Sequence, residues 1–275
     1  MASRSAGSRK DDRLPTSVFR RQATTFHPRA LALAMGSSLA TVATAQVLFP
    51  AEIDLETLDG SNGFVINGEA ASDRSGYSLS GAGDVNGDGI DDLIIGAYGG
   101  DAGGPNSGRS YLVFGSASGF PTPLELSSLD GSNGVAFDGE AGLDFSGRGV
   151  SKAGDIDGDG IDDLLIGAPD ASPNGPSSGR GYVVFGSDEE FPSPFDLSTL
   201  DGLNGFTLDG AMYGDFTGRT LAAAGDVNGD GFDDLIIGAS GADINGTNTG
   251  RSHVVFGSDQ GFPSNLDLST LDGTN

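Results

Sequence analysis

"GDVNGDGIDDLIIGA" occupies residues 83–97, and the rest of the chain is read outward from it. It returns as "GDIDGDGIDDLLIGA" at 154–168 and as "GDVNGDGFDDLIIGA" at 225–239. The step between copies is 71 residues, and no insertion breaks it. Leu58, Leu129, Leu200 and Leu271 keep the same step, as do Phe114, Phe185 and Phe256, and Pro121, Pro192 and Pro263. A fixed period of this size marks an array of stacked units, each too small to bury its apolar face alone. The copies fall at about 47–120, 121–191 and 192–262, and a fourth begins at 263–275. Its last residue, Asn275, matches Asn62 of the first copy, so the sequence stops inside a repeat.

Within the first copy, "GFVINGE" (63–69) alternates apolar and polar residues, as a half-buried strand does. "GYSLSGAG" (76–83) is a strand of small residues suited to close packing. "DLIIGA" (92–97) and "RSYLVFG" (109–115) are short apolar runs rich in β-branched or aromatic residues, as strands covered on both faces are. Clusters such as "GGDAGGPNSG" (99–108) separate them, and no helical periodicity follows residue 46. The sequence therefore predicts an all-β protein of propeller-type blades, each of four antiparallel strands. About three repeats of 71 residues make an incomplete propeller. Stacked blades that do not close expose sheet edges, and self-association or marginal stability is expected of them.

The acidic loops have a ligand geometry. Counted from Asp84, oxygen-bearing side chains occupy positions 1, 3, 5 and 9: Asp84, Asn86, Asp88 and Asp92. Gly89 at position 6 permits a sharp turn, and Ile90 at position 7 offers its carbonyl. The second loop aligns Asp155, Asp157, Asp159, Ile161 and Asp163. The third aligns Asp226, Asn228, Asp230, Phe232 and Asp234. Calcium takes roughly six to eight hard oxygen ligands in flexible geometry, which such a loop supplies, whereas magnesium demands a stricter octahedron. The reading predicts about three calcium ions. An EF-hand is excluded, because Ile95, Ile166 and Ile237 stand where its bidentate Glu belongs. Simple hairpin-turn chemistry would explain the glycines but not four recurring oxygen donors. Position 8 (Asp91, Asp162, Asp233) is expected to point away from the ion, toward water or a backbone turn.

Charge agrees with this reading. Residues 46–275 hold 7 basic and 37 acidic residues, thirteen of the acids within the three loops. A surface of this sign repels nucleic acid and anionic lipid and suits cations. There is no Cys, so disulfides and thiolate metal sites are excluded. Residues 1–45 are different: basic residues including Arg20, Arg21 and Arg29 precede the modest apolar run "ALALAMGSSLATVATA". With the Ala43-x-Ala45 ending this is a signal peptide, with a transit peptide or a misplaced start as alternatives. No segment is apolar and long enough to span a membrane.

The loops followed by "IIGA" or "LIGAP", with "DFSGRGVSKAGD" and "DFTGRTLAAAGD" upstream, resemble the FG-GAP repeats of the integrin α-subunit β-propeller. The resemblance covers residues 47–275 and implies calcium on propeller blades and a role in adhesion or extracellular interaction. It departs from that family in blade number, three and a fraction against seven, and in having no D-x-S-x-S motif. The expected function is thus an exported or cell-surface calcium-binding repeat protein that binds an extracellular protein or carbohydrate. The alternative is the non-catalytic repeat part of a larger secreted hydrolase. Catalysis within the chain is not expected. "GPSSG" (175–179) has the G-x-S-x-G form but lies in a Pro/Gly/Ser loop, and His27 and His253 are the only histidines. Arg109, Arg180 and Arg251 each follow a glycine; pairing with a nearby acid at a strand start is the favoured role, anchoring of an acidic or carbohydrate ligand the other.

Overall fold

The computed structural model describes residues 52–273. The expected signal peptide at 1–45 lies outside them. The first strands are β1 (Ile66–Asn67), β2 (Ser78–Gly83), β3 (Asp92–Ala97), β4 (Arg109–Val113) and β5 (Leu124–Glu125). Then come β6 (Gly134–Asp138), β7 (Gly149–Gly154), β8 (Asp163–Ala168), β9 (Arg180–Val184) and β10 (Phe195–Asp196). The last are β11 (Gly205–Asp209), β12 (Thr217–Gly225), β13 (Asp234–Ala239), β14 (Arg251–Val255) and β15 (Asn265–Asp267). The only helical pieces among the described residues are three-residue 3₁₀ turns such as Leu197–Thr199.

These strands form blades, as the repeat predicts, but sheet and repeat are out of phase. In the first sheet β2, β3 and β4 pair antiparallel with one another, and the fourth antiparallel strand is β6, which belongs to the second repeat. The second sheet takes β7, β8 and β9 from its own repeat and β11 from the third. A two- or three-residue parallel strand, β10 or β15, adds a fifth member to the outer edge. The third sheet has three strands among the described residues, β12, β13 and β14. "GFVINGE" therefore does not join the blade of its own repeat; only Ile66–Asn67 is strand, paired parallel with β5. The reason is steric and topological. After β4 the chain passes through β5 and a 3₁₀ turn and returns as β6 along the free edge of β4, and β11 returns along β9 in the same way, so the first two blades are each completed by the next stretch of chain.

The sheets pack face to face. Ile94 and Leu112 of the first meet Leu164, Ile166 and Tyr182 of the second in one buried cluster. Leu165 and Val183 of the second meet Leu235, Ile237 and Val255 of the third in another. The glycine of the "IIGA" and "LLIGA" runs is required here. A Cβ on Gly96 would collide with the Gly147 carbonyl of the second blade, and one on Gly167 with the Gly218 carbonyl of the third. Backbone from the next blade fills that space.

Candidate metal centres

Each acidic loop links the first two strands of a blade, and its own side chains shape it. Asp84 Oδ1 accepts from the Asp88 N–H at 2.9 Å and Oδ2 from the Gly89 N–H at 2.8 Å. Asp88 Oδ1 accepts from the Ile90 N–H at 2.9 Å. The second loop repeats the pattern: Asp155 accepts from Gly158 and Gly160, Asp157 from Asp159, and Asp159 from Ile161. So does the third, where Asp226 accepts from Gly229, Asp230 and Gly231. Short polar side chains favour such local backbone bonds, which is why these residue types curl the chain. Gly87 and Gly89 take φ of 69° and 85°, open to glycine with little strain.

The curl draws the expected ligands together. Asp155, Asp157 and Asp159 each place a carboxylate oxygen so that the three oxygens lie within 4.8 Å of one another. Burial, with Asp159 and Asp155 close by, pushes the Asp157 carboxyl above the usual range. This is a site short of positive charge, and its hard oxygen donors suit a hard divalent cation. In the first and third loops an amide partly fills that role: Asn86 Nδ2 donates to Asp88 Oδ2 at 3.2 Å, and Asn228 Nδ2 to Asp230 Oδ2 at 2.7 Å.

The position-9 aspartates stand apart from this cluster. Asp163 is fully buried behind its loop; Oδ2 accepts from the Ile156 N–H at 2.9 Å and Oδ1 from the Gly186 N–H at 2.8 Å. Asp92 and Asp234 do the same with Val85 and Gly115, and with Val227 and Gly257. Each ties the start of the loop to the end of a blade strand 23 residues later. Desolvation pushes Asp92 up to about 6 and Asp163 up to about 8. An ionised carboxylate has about four acceptor sites, so these bonds leave lone pairs for a cation. At position 7 the side chains of Ile161 and Phe232 lie against Gly87 and Gly158 of the preceding loop.

Position 8 has a role that its sequence neighbours do not reveal. Asp162 Oδ2 accepts from the Asp84 N–H at 3.0 Å, and Asp233 Oδ2 from the Asp155 N–H at 3.2 Å, each across a blade boundary. A Cβ on Gly83 or Gly154 would strike those same carboxylates. The glycine before each loop was the available signal, but its meaning needs the neighbouring blade.

The repeated arginines pair with acids. Arg109 Nε meets Asp138 at 2.6 Å and Nη1 meets Glu69 at 2.7 Å; Arg180 meets Asp209 at 2.6 Å and Glu140 at 2.9 Å. Asp138 and Asp209 are their cross-strand partners. Arg251 has no ion pair among the described residues, and Ala211 stands where Glu69 and Glu140 stand in the earlier repeats. Ser177 of "GPSSG" sits at a positive-φ turn shared with Asn106 and Asn248, between β8 and β9, and not at a strand-to-helix elbow.

The FG-GAP repeat model matches residues 75–113, 146–184 and 217–255. Each match contains the three inner strands of one blade with its acidic loop. This chain is an FG-GAP repeat protein. It is similar to integrin alpha-PS2 of Drosophila melanogaster, 30% identical over 77% of this chain and 15% of that protein. It is also similar to integrin alpha-5 of Xenopus laevis, 30% identical over 67% of this chain and 16% of that protein. A third relative is the phosphatidylinositol-glycan-specific phospholipase D of Bos taurus, 34% identical over 60% of this chain and 18% of the enzyme. The chain thus spans less than a fifth of the length of these relatives. This FG-GAP protein carries its motif as propeller-type blades with open, not closed, sheets, and no described helix is long and apolar enough to cross a membrane.

Proposed function

We propose that this FG-GAP protein is an exported or cell-surface protein that binds calcium at its three loops and works by binding an extracellular protein or carbohydrate, without catalysis of its own. One observation carries the reading: Asp155, Asp157 and Asp159 each place a carboxylate oxygen within 4.8 Å of the others. The residues that would hold an ion are Asp84, Asn86 and Asp88, Asp155, Asp157 and Asp159, and Asp226, Asn228 and Asp230. The position-7 carbonyls and the position-9 carboxylates would complete the donor sets. The ion would neutralise crowded carboxylates and so add to folding stability. Similarity to integrin α-subunits supports a binding role. Calorimetric titration with calcium, with a melting curve at each point, tests it. About three ions bound with a rise in melting temperature is the expected result. No heat and no shift would reduce the loops to turn chemistry.

A second reading is favoured by the similarity to the phospholipase D. In it the blades are the non-catalytic part of a secreted hydrolase.

A further inference from the structure

Beside each acidic loop the chain encloses a cavity, and the one in the second blade differs from the other two. Its volume is about 430 Å³, against about 230 Å³ in the first blade and about 400 Å³ in the third. The walls are equivalent in all three. Loop positions 3 and 5, the Phe-Gly after the third strand of the blade and the Phe-Pro that follows it line each cavity; in the second these include Asp157, Asp159, Phe185, Phe191 and Pro192. Phe185, Phe191 and Phe195 are buried and form the floor of the second cavity. A concavity of this size with aromatic walls and a few polar groups suits an organic ligand. It occurs in every blade, including the second, which has a blade on either side.

The mouth is where the three cavities part. Between the Phe-Gly and the Phe-Pro the first blade carries "SASG" (116–119) and the third "SDQG" (258–261), whereas the second carries "SDEE" (187–190). Gly119 and Gly261 take φ of 82° and 80°; Glu190, in their place, has no positive φ, so this turn follows another course. Glu189 and Glu190 are exposed and line the cavity. Leu203 lines it too and is 88% exposed, where the first two repeats have Ser61 and Ser132. Water is a poor partner for that side chain. Among the described residues, no Lys or Arg pairs with Asp157, Asp159, Glu189 or Glu190. The second cavity therefore combines an aromatic floor, an apolar lip and two carboxylates without a counter-charge.

We infer that the cavity of the second blade receives a lysine or arginine side chain of a partner protein. Such a side chain is a long apolar stem with a cationic head, and each part finds its counterpart here. The stem lies along Leu203 and Phe191. The head meets Glu189 and Glu190, and the aromatic walls add cation–π attraction. Charge decides the occupant. Residues 46–275 hold 7 basic and 37 acidic residues, so a basic partner is drawn to this surface and an acidic one is repelled. The inference rests on the binding role proposed above and gives it a site and a partner chemistry. It does not rest on bound calcium, because Glu189, Glu190 and Leu203 lie outside the loops.

A nuclear magnetic resonance titration of the full chain tests it, with an acetylated and amidated Gly-Arg-Gly peptide, in excess calcium and at low salt so that charge attraction is not screened. The expected result is saturable shifts of the Glu189, Glu190 and Leu203 amides, with the first-blade counterparts Ser118, Gly119 and Ser132 unmoved. The lysine peptide should act alike, and the uncharged citrulline peptide should bind at least about tenfold more weakly. Glu189→Ser with Glu190→Gly gives the mouth the composition of the first blade and should weaken the arginine peptide at least about tenfold. Leu203→Ser should weaken it about threefold. These side chains are exposed, so both variants should keep the wild-type melting temperature. No shifts with the arginine peptide, equal affinity for the citrulline peptide, equal filling of all three cavities, or an unchanged affinity in the Glu189/Glu190 variant would overturn the inference. A calcium titration of the same sample reads the loops separately, so failure of the ion sites and failure of this cavity are told apart.

Discussion

Asp162 and Asp84 lie 78 residues apart and exchange two hydrogen bonds. The Asp84 N–H donates to Asp162 Oδ2 at 3.0 Å, and the Asp162 N–H donates to the Asp84 carbonyl at 3.1 Å. One residue of the second acidic loop thereby holds the first residue of the loop before it. The loops are joints between blades as well as candidate ion sites.

Loss of that joint should be measurable. Asp162→Ala removes the acceptor of the half-buried Asp84 N–H, and the expected cost is about 1–3 kcal/mol. Gly83→Ala should cost at least as much, since its Cβ meets the Asp162 carboxylate and its φ is +78°. Urea unfolding followed by circular dichroism reads both. A cost below about 0.5 kcal/mol for the pair would show that the joint contributes little.

The position-5 and position-9 aspartates should separate in their effects. Asp163→Ala orphans the buried N–H groups of Ile156 and Gly186, for an expected loss of about 2–5 kcal/mol even with chelator present. Asp159→Ala touches an exposed bond and should change metal-free stability by less than about 1 kcal/mol, while reducing the calcium heat. Chemical denaturation in chelator, beside calorimetry in calcium, distinguishes the two. Equal losses of stability would contradict the division.

The half-buried ion pairs predict both a loss and a gain. Arg180→Ala leaves the half-buried Glu140 and Asp209 without their partner and should cost about 1–3 kcal/mol. Ala211→Glu puts back, in the third repeat, the carboxylate that Arg251 lacks. It should stabilise by ~0.5 kcal/mol, the modest value of a partly exposed pair. Melting curves at low salt suffice; a destabilised Ala211→Glu variant would show that Arg251 is not placed to receive it.

Asp144 sets a pH dependence. Burial, with Glu140 beside it, pushes its carboxyl up to about 6 from an unfolded value near 3.8. The folded state therefore holds this proton more tightly. The stability it contributes is fully present below about pH 4 and is lost as pH rises through about 6. Asp144→Asn should flatten that part of the profile, with a melting shift of ~2 °C after discounting for partial exposure. Calorimetry of wild type and variant from pH 4 to 7 in chelator reads it, and parallel profiles would refute the assignment.

The sequence by itself determined the 71-residue unit, the all-β class, the inner strands of each blade and the alternate spacing that brings Asp155, Asp157 and Asp159 together. Those features are local. Asp155, Asp157 and Asp159 sit on alternate residues of one tight turn, and strand alternation is written in the strand itself. The tertiary structure decided what depends on stacking. It took the fourth strand of the first and second blades from the following repeat, turned Asp162 and Asp233 into clamps on the preceding loop, and made Gly96 and Gly167 the points where the next blade's backbone approaches. It also sent Arg109 to Glu69 and Asp138, 40 and 29 residues away. A repeat states which residues are equivalent; it does not state which copy they touch, because only packing brings neighbouring copies within a few ångströms.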